Sequence, residues 1–333
     1  MENLENRKRD HINLAFKSQT SLSEMDRRFH YEPILKGHPD TGLKPFTILG
    51  KELRLPVWVS SMTGGTKLAG TINRNLARAC REFGMGMGLG SCRIIMEDDT
   101  YFEDFNMREI IGDHLPLWAN LGIAQIEELV TTNKVSKASD LLKKLKADGL
   151  IVHVNPMQEW LQFEGDTLTA PPLETIKRLL DQISFPVIVK EVGQGMGPES
   201  LRELMQLPLQ AIEFGAFGGT NFAKVEIQRT VGARQTLYEP LSNIGEDVYS
   251  MLGYVNELVA AEAPVCKELI ISGGVRNFLD GYYLLKKSNL PALYGMASTF
   301  LNYAQKDYAP LREFVQCQVR GLEMAHTFLT LRE

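Results

Sequence analysis

The sequence predicts an α/β protein of the (β/α)8 or TIM-barrel type, with an N-terminal arm and a long loop after the sixth strand. Three observations carry that expectation. Eight short, apolar, largely β-branched runs recur along the 333 residues, each followed by a helical or helix-sized segment. Such alternation implies parallel strands joined by right-handed crossovers, and eight of them close into a barrel of this size. Strand after strand then ends in glycines or polar side chains, which is where a barrel assembles its active site. An open doubly wound sheet is the alternative architecture. One domain over residues 1–333 is expected, with residues 1–50 as the arm.

Composition bounds the function. The 44% hydrophobic and 23% charged content is that of an ordinary soluble globular protein. A net charge of −5 argues against a broad nucleic-acid-binding or polybasic membrane surface, so any anionic ligand must be met by local positive charge. Cys80, Cys92, Cys266 and Cys317 show neither CxxC pairing nor metal spacing and read as reduced thiols. The charged stretch of residues 1–8 lacks a signal-peptide core, and no run of about twenty apolar residues could span a membrane. The expected location is cytoplasmic.

Residues 1–50 read as polar and irregular, with Arg7-Lys8-Arg9-Asp10-His11 opening a short helical pattern through Phe16. This charge run is either a solvated face or a basic arm that folds over a pocket, since an adjacent arginine and lysine can neutralise a diphosphate. The first strand, Leu55–Ser61, runs into Met62-Thr63-Gly64-Gly65, where glycines let backbone amides approach a flat or anionic ligand. A helix over Ala69–Phe83 follows, then a glycine-rich strand, Gly84–Gly90, ending in Ser91-Cys92-Arg93. Its spacing is not that of a dinucleotide fingerprint. Pro116–Ala119 forms the third strand and ends in Asn120.

The fourth strand, Gly149-Leu150-Ile151-Val152, breaks into His153-Val154-Asn155-Pro156-Met157-Gln158-Glu159. An imidazole, two carboxamides and a carboxylate crowd one strand tip, a costly arrangement unless a ligand, a metal or a neighbour satisfies them. After a helix over Pro172–Ile183, Pro186–Val189 ends in Lys190-Glu191. A lysine at a buried strand end calls for something anionic or electron-rich opposite. Helix Pro198–Gln206 leads to strand Ala211–Phe214 and then Gly215-Ala216-Phe217-Gly218-Gly219-Thr220. Residues 221–248 read as the longest irregular stretch, a lid or subunit contact. Helix Val248–Ala261, strand Glu268–Ile271, helix Leu279–Lys287, strand Ala292–Tyr294 and a final helix over Phe314–Leu329 complete the chain.

The last two strand ends, Ser272-Gly273-Gly274-Val275-Arg276 and Gly295-Met296-Ala297, have the composition of a barrel phosphate cradle. Lys190 would then stand across the mouth, where a cation suits the N1–C2=O edge of a flavin, which becomes negative on reduction. The Met62–Gly65 turn could run against the ring and Asn120 could bond its edge. Together these features point to FMN.

At this point the chain resembles the type 2 isopentenyl-diphosphate isomerases. The resemblance rests on Arg7–His11, Met62–Gly65, Gly90–Arg93, His153–Glu159, Lys190–Gly193, Gly218–Glu226 and Ser272–Arg276. It implies conversion of isopentenyl diphosphate to dimethylallyl diphosphate with FMN in its reduced form, Mg2+, NADPH as reductant and no net redox change. It implies that Arg7, Lys8, His11, Ser91 and Arg93 bind the diphosphate, with His153 and Asn155 nearby and Gln158 facing the hydrocarbon end. Glu159 would hold the magnesium. Met62, Thr63, Gly64, Ser91, Asn120, Lys190, Thr220, Gly273, Gly274, Arg276, Met296 and Ala297 would contact FMN. Gln158, His153 and Lys190 would be the catalytic set, and the assembly a homo-oligomer, a tetramer or octamer. The chain departs from the family pattern at Cys92, often Gln, and at Gly215, often Ser, so no side-chain bond to flavin is expected from Gly215.

Two other readings stand beside this one. An FMN-dependent 2-hydroxy-acid oxidoreductase needs a histidine base beside the ring, typically in a His-Gly-Gly turn after the sixth strand. Here that turn reads Phe217-Gly218-Gly219. A non-catalytic phosphate-binding barrel would need neither Gln158 nor a reducible cofactor.

Overall fold

The computed structural model describes residues 2–39, 42–61, 63–162, 164–230 and 232–332. The eight expected strands are Val57–Val59 (β1), Gly86–Gly88 (β2), Leu117–Gly122 (β3), Gly149–Val154 (β4), Val187–Glu191 (β5), Ala211–Glu213 (β6), Leu269–Ser272 (β7) and Ala292–Met296 (β8). They pair in parallel and in sequence order, and β8 closes on β1 through Tyr294↔Val57, Gly295↔Trp58 and Met296↔Val59. The doubly wound alternative is thereby set aside.

Packing inside the barrel explains the glycine-rich second strand. A Cβ on Gly86 would stand 2.6 Å from the Trp58 indole, and one on Gly88 would stand 2.5 Å from Ile151 Cδ1. Gly149 makes the same room for Trp118, where a Cβ would lie 2.4 Å away. Trp58, Trp118 and Tyr294 are almost wholly buried, so small residues on one strand accommodate large ones on the next. Gly86 and Gly88 therefore serve the core.

Helices fill the crossovers with the boundaries their end residues dictate. Lys67–Phe83 opens on Thr66, whose hydroxyl accepts from Ala69 N at 3.1 Å, and closes on left-handed Gly84 at φ 74°. Two helices, Ile123–Thr131 and Ser136–Leu145, bridge β3 and β4. The final helix is longer than expected, Tyr308–Phe328, and packs against Lys67–Phe83 and Phe278–Lys287.

Two stretches read as irregular are ordered. Within residues 1–50 the helical pattern expected through Phe16 is the helix Glu2–Ala15, and the remainder adds a strand Phe29–Tyr31 paired antiparallel with Leu329–Leu331 and a hairpin of Phe46–Ile48 and Lys51–Leu53. Residues 221–248 contain helices Phe222–Arg229 and Ala233–Tyr238 and a 3-10 turn, Glu239–Asn243. The hairpin closes the amino end of the barrel. Its Leu49 N donates to Glu268 Oε2 at 3.0 Å, and Lys51 Nζ meets Asp148 Oδ1 at 2.6 Å, just before β7 and β4 respectively.

Candidate active site

A cleft opens at the carboxyl ends of the strands and runs between two lobes that share Ser61, Lys190, Val192 and Phe222. One lobe, enclosing about 530 Å³ of space open to solvent, is walled by Gly273, Gly274, Met296, Ala297 and Thr220. The other holds Ser91, Asn120, His153 and Gln158. Ten of the residues singled out from sequence thus line two adjoining pockets, with Lys190 on the wall between them.

Gly273 shows why the cradle needs glycine. Its φ is +91°, and a Cβ there would come within 2.1 Å of Ala216 O. Gly274 follows at φ +72°. Gly215, at φ +53°, would drive a Cβ to 2.0 Å from Glu191 O, which accounts for the absence of a side chain at that position in this chain.

Strand register builds the centre. Gly122 pairs with His153, His153 with Lys190, and Lys190 with Glu213, so β3 to β6 present one row across the mouth. His153 Nδ1 lies 2.7 Å from Asn120 Oδ1 and so carries the ring proton, leaving Nε2 as the acceptor. Burial, and secondarily the Lys190 ammonium, push the imidazole pKa down to about 3. Lys190 is 7% exposed and its Nζ donates to Glu191 O at 2.6 Å. Glu191 Oε2 in turn accepts from the amides of Gly193, Gln194 and Gly195 at 2.6–2.9 Å, pinning the turn after β5. Burial raises its carboxyl pKa, with the amides pulling the other way.

The tip of β4 is held from behind. Asn155, 3% exposed, donates through Nδ2 to Gln158 Oε1 at 3.1 Å and to Glu159 Oε1 at 2.9 Å. Buried Glu226 accepts from the Gln158 and Gln162 amides at 3.1 Å each, and from Arg229 at 3.0 Å. The Gln158 amide is therefore fixed with its oxygen toward Asn155 and its nitrogen toward Glu226. Glu159 Oε2 accepts from Asp166 N at 2.9 Å. Arg93 Nη1 meets the Asp166 carboxylate at 2.8 Å, so the segment after the β4 tip ties Glu159 to Arg93.

Other expected residues sit outside the two lobes. Thr63 and Gly64 pack beneath, where a Cβ on Gly90 would come within 2.5 Å of Thr63 O, and one on Gly64 would strike the Phe105 ring. Arg276 is exposed and donates its backbone N to Asp280 Oδ2 at 3.0 Å. Arg7, Lys8 and His11 lie on an exposed helix, and no hydrogen bond or ion pair among the described residues joins them to the mouth. Met62 lies outside the described residues.

Sequence reasoning gave no role to Glu213, Ser60 or Ser61, although all three line the cleft. Glu213 Oε2 and both serine hydroxyls are buried with no hydrogen-bond partner in the described structure. Unsatisfied polar atoms in a cleft with a positive-φ glycine cradle and one lysine fit a ligand that is polar along one edge and phosphorylated at its end. FMN has that form. A metal fits less fully, because among the described residues no group of three or more His, Cys, Asp or Glu is placed to hold an ion. A single carboxylate such as Glu159 is enough for magnesium that arrives on a phosphate.

No family model matches the sequence. Proteins named isopentenyl-diphosphate delta-isomerase do match. That of Rickettsia felis is 33% identical over 325 residues, covering 96% of this chain and 90% of its own length. That of Deinococcus radiodurans is 34% identical over 282 residues, covering 83% and 80%. Among solved structures, the flavin-binding domain of baker's yeast flavocytochrome b2 is similar with a TM-score of 0.61 at 14% identity, covering 90% of this chain and 72% of that one. A mandelate oxidase variant with a monooxide FMN adduct gives a TM-score of 0.56 at 14% identity, covering 92% and 88%. These structural likenesses show the shared barrel. The identity to the curated relatives, sustained over nearly the whole length, shows more: this chain belongs to the isopentenyl-diphosphate delta-isomerase family.

Proposed function

We propose that the cleft converts isopentenyl diphosphate to dimethylallyl diphosphate with bound reduced FMN, adding a proton at one alkene carbon and removing another at an allylic carbon. The observation that carries this reading is the pair of adjoining pockets, the Gly273-Gly274 cradle on one side of Lys190 and His153 with Gln158 on the other, in a member of this family. Gly273, Gly274, Met296 and Ala297 would cradle the FMN phosphate, and Thr63, Gly64, Asn120 and Thr220 would flank the ring. The flavin, when reduced, supplies an electron-rich ring able to stabilise adjacent positive charge.

The protein side of the chemistry is positioning. Lys190 offers charge to the ring edge that turns negative. Ser91, Arg93 and the neutral His153 imidazole receive the diphosphate, with Arg7, Lys8 and His11 joining from the arm. Gln158, held by Asn155 and Glu226, faces the hydrocarbon with a fixed amide. Glu159 would hold Mg2+ against the diphosphate, neutralising it and fixing the substrate. NADPH is the proposed reductant. We also propose a homo-oligomer, a tetramer or octamer. Apolar Leu237 and Ile244 after the sixth strand, 72% and 55% exposed, offer a contact face. Among the described residues no helix is long and apolar enough to cross a membrane. A cytoplasmic location is part of the same proposal.

The test is anaerobic incubation with FMN, reductant, magnesium and isopentenyl diphosphate in heavy water, followed by NMR. Deuterated dimethylallyl diphosphate that forms only with reduced flavin is the expected result. No product from an FMN-loaded protein would reject the reading.

A further inference from the structure

Glu213 is fully buried at the end of β6 and lines the same lobe as Lys190. Its Oε1 accepts from Ser272 Oγ at 3.2 Å, while Oε2 has no hydrogen-bond partner. A buried carboxylate is expensive unless a cation compensates it. Among the described residues lining either lobe, Lys190 is the one cation, and Glu213 is its register partner on the next strand. Directly paired residues of parallel strands project to the same face, so both side chains enter the barrel mouth. The structure has no ion pair within 4.0 Å joining the two. Lys190 spends one of its three protons on Glu191 O at 2.6 Å and can direct the others into the cleft.

We propose that Glu213 is the buried countercharge of Lys190 and a positioning residue for the flavin, holding the reduction potential of bound FMN below the value Lys190 alone would set. This rests on the flavin reading above. A cation beside the N1–C2=O edge favours the reduced ring, because that edge gains negative charge on reduction. A carboxylate on the next strand offsets part of that attraction across a low-dielectric gap. The outcome is a ring that is harder to reduce and, once reduced, richer in electrons, which suits a flavin whose task is to stabilise neighbouring positive charge.

Glu213→Gln removes the charge while keeping an oxygen for Ser272. Wild-type protein is first titrated with FMN by fluorescence quenching, then poised with dithionite against a reference dye. The expected result for Glu213→Gln is an equilibrium shifted about tenfold toward reduced flavin, about 30 mV more positive for a two-electron couple. Glu213→Asp, which keeps the charge, should stay within about threefold of wild type on the same scale. A Glu213→Gln shift below threefold, a shift toward oxidised flavin, or an equal shift in Glu213→Asp would overturn the proposal. Wild-type protein that takes up no FMN would instead sink the flavin reading itself, and this inference with it. If Glu213→Gln does not fold, the Lys190→Met/Glu213→Gln double variant reads the same coupling. Recovered folding supports the pair, and failure to recover overturns it.

Discussion

His153 is the residue whose protonation the site depends on. With Nδ1 bonded to Asn120 and its pKa pushed down to about 3, the ring is neutral wherever the protein is folded near neutrality. Between about pH 3 and the ordinary imidazole value of 6.5, the unfolded chain binds a proton that the folded chain refuses. Stability from this group therefore rises with pH through that window and is flat above it, a loss of up to about 1.4 kcal/mol per unit as pH falls. His153→Gln should remove this contribution. Urea midpoints measured near pH 5 and pH 7.5 should lie closer together in the variant than in the wild type. An unchanged gap would mean that the ring is protonated in the folded state. The neutral form also has a consequence for binding: His153 meets a diphosphate as a hydrogen-bonding group, so the full positive charge must come from elsewhere.

The amino-end hairpin is a different kind of element from the strand tips, because it bears on stability alone. Leu53 is fully buried where the hairpin plugs the barrel. Leu53→Ala should cost about 2–5 kcal/mol in denaturant unfolding while leaving KM unchanged, since the cleft opens at the other end. A raised KM at unchanged stability would contradict that division of labour. The hairpin was not legible in the sequence: each arm has three residues, too few to show a period, and its partners are distant. Phe29–Tyr31 is hidden for the same reason, since it pairs with Leu329–Leu331 at the far end of the chain. The barrel strands were legible because burial on both faces makes them continuous apolar runs. Helix Phe222–Arg229 was missed because one of its buried residues is a carboxylate, Glu226, spent on Gln158 and Gln162. The site divides similarly. Residues at strand tips, such as His153 and Lys190, could be placed from sequence alone. The inward Glu213, with its Oε2 unpaired, emerged only once register set it beside Lys190.

At the scale of the whole molecule, the unresolved tension is electrostatic. The chain carries a net charge of −5, yet its proposed substrate is a diphosphate. Among the described residues lining the two lobes the one cation is Lys190, and the guanidinium of Arg93 nearby is already shared with Asp166. The exposed helix Glu2–Ala15 sets Arg7, Lys8 and Arg9 side by side, and among the described residues it makes no hydrogen bond or ion pair with the mouth. Basic side chains that make no ion pair with the barrel are available to a diphosphate. Deleting residues 1–16 should therefore leave the unfolding midpoint and FMN affinity unchanged while raising KM at least about tenfold, or about 1.4 kcal/mol. Because the lost contacts are between charges, the KM of the full chain should climb with salt more steeply than that of the truncated one. Steady-state assays at two ionic strengths measure both effects. An unchanged KM after deletion would place the diphosphate entirely on the barrel, and a truncated protein that unfolds would show the helix to be part of the fold.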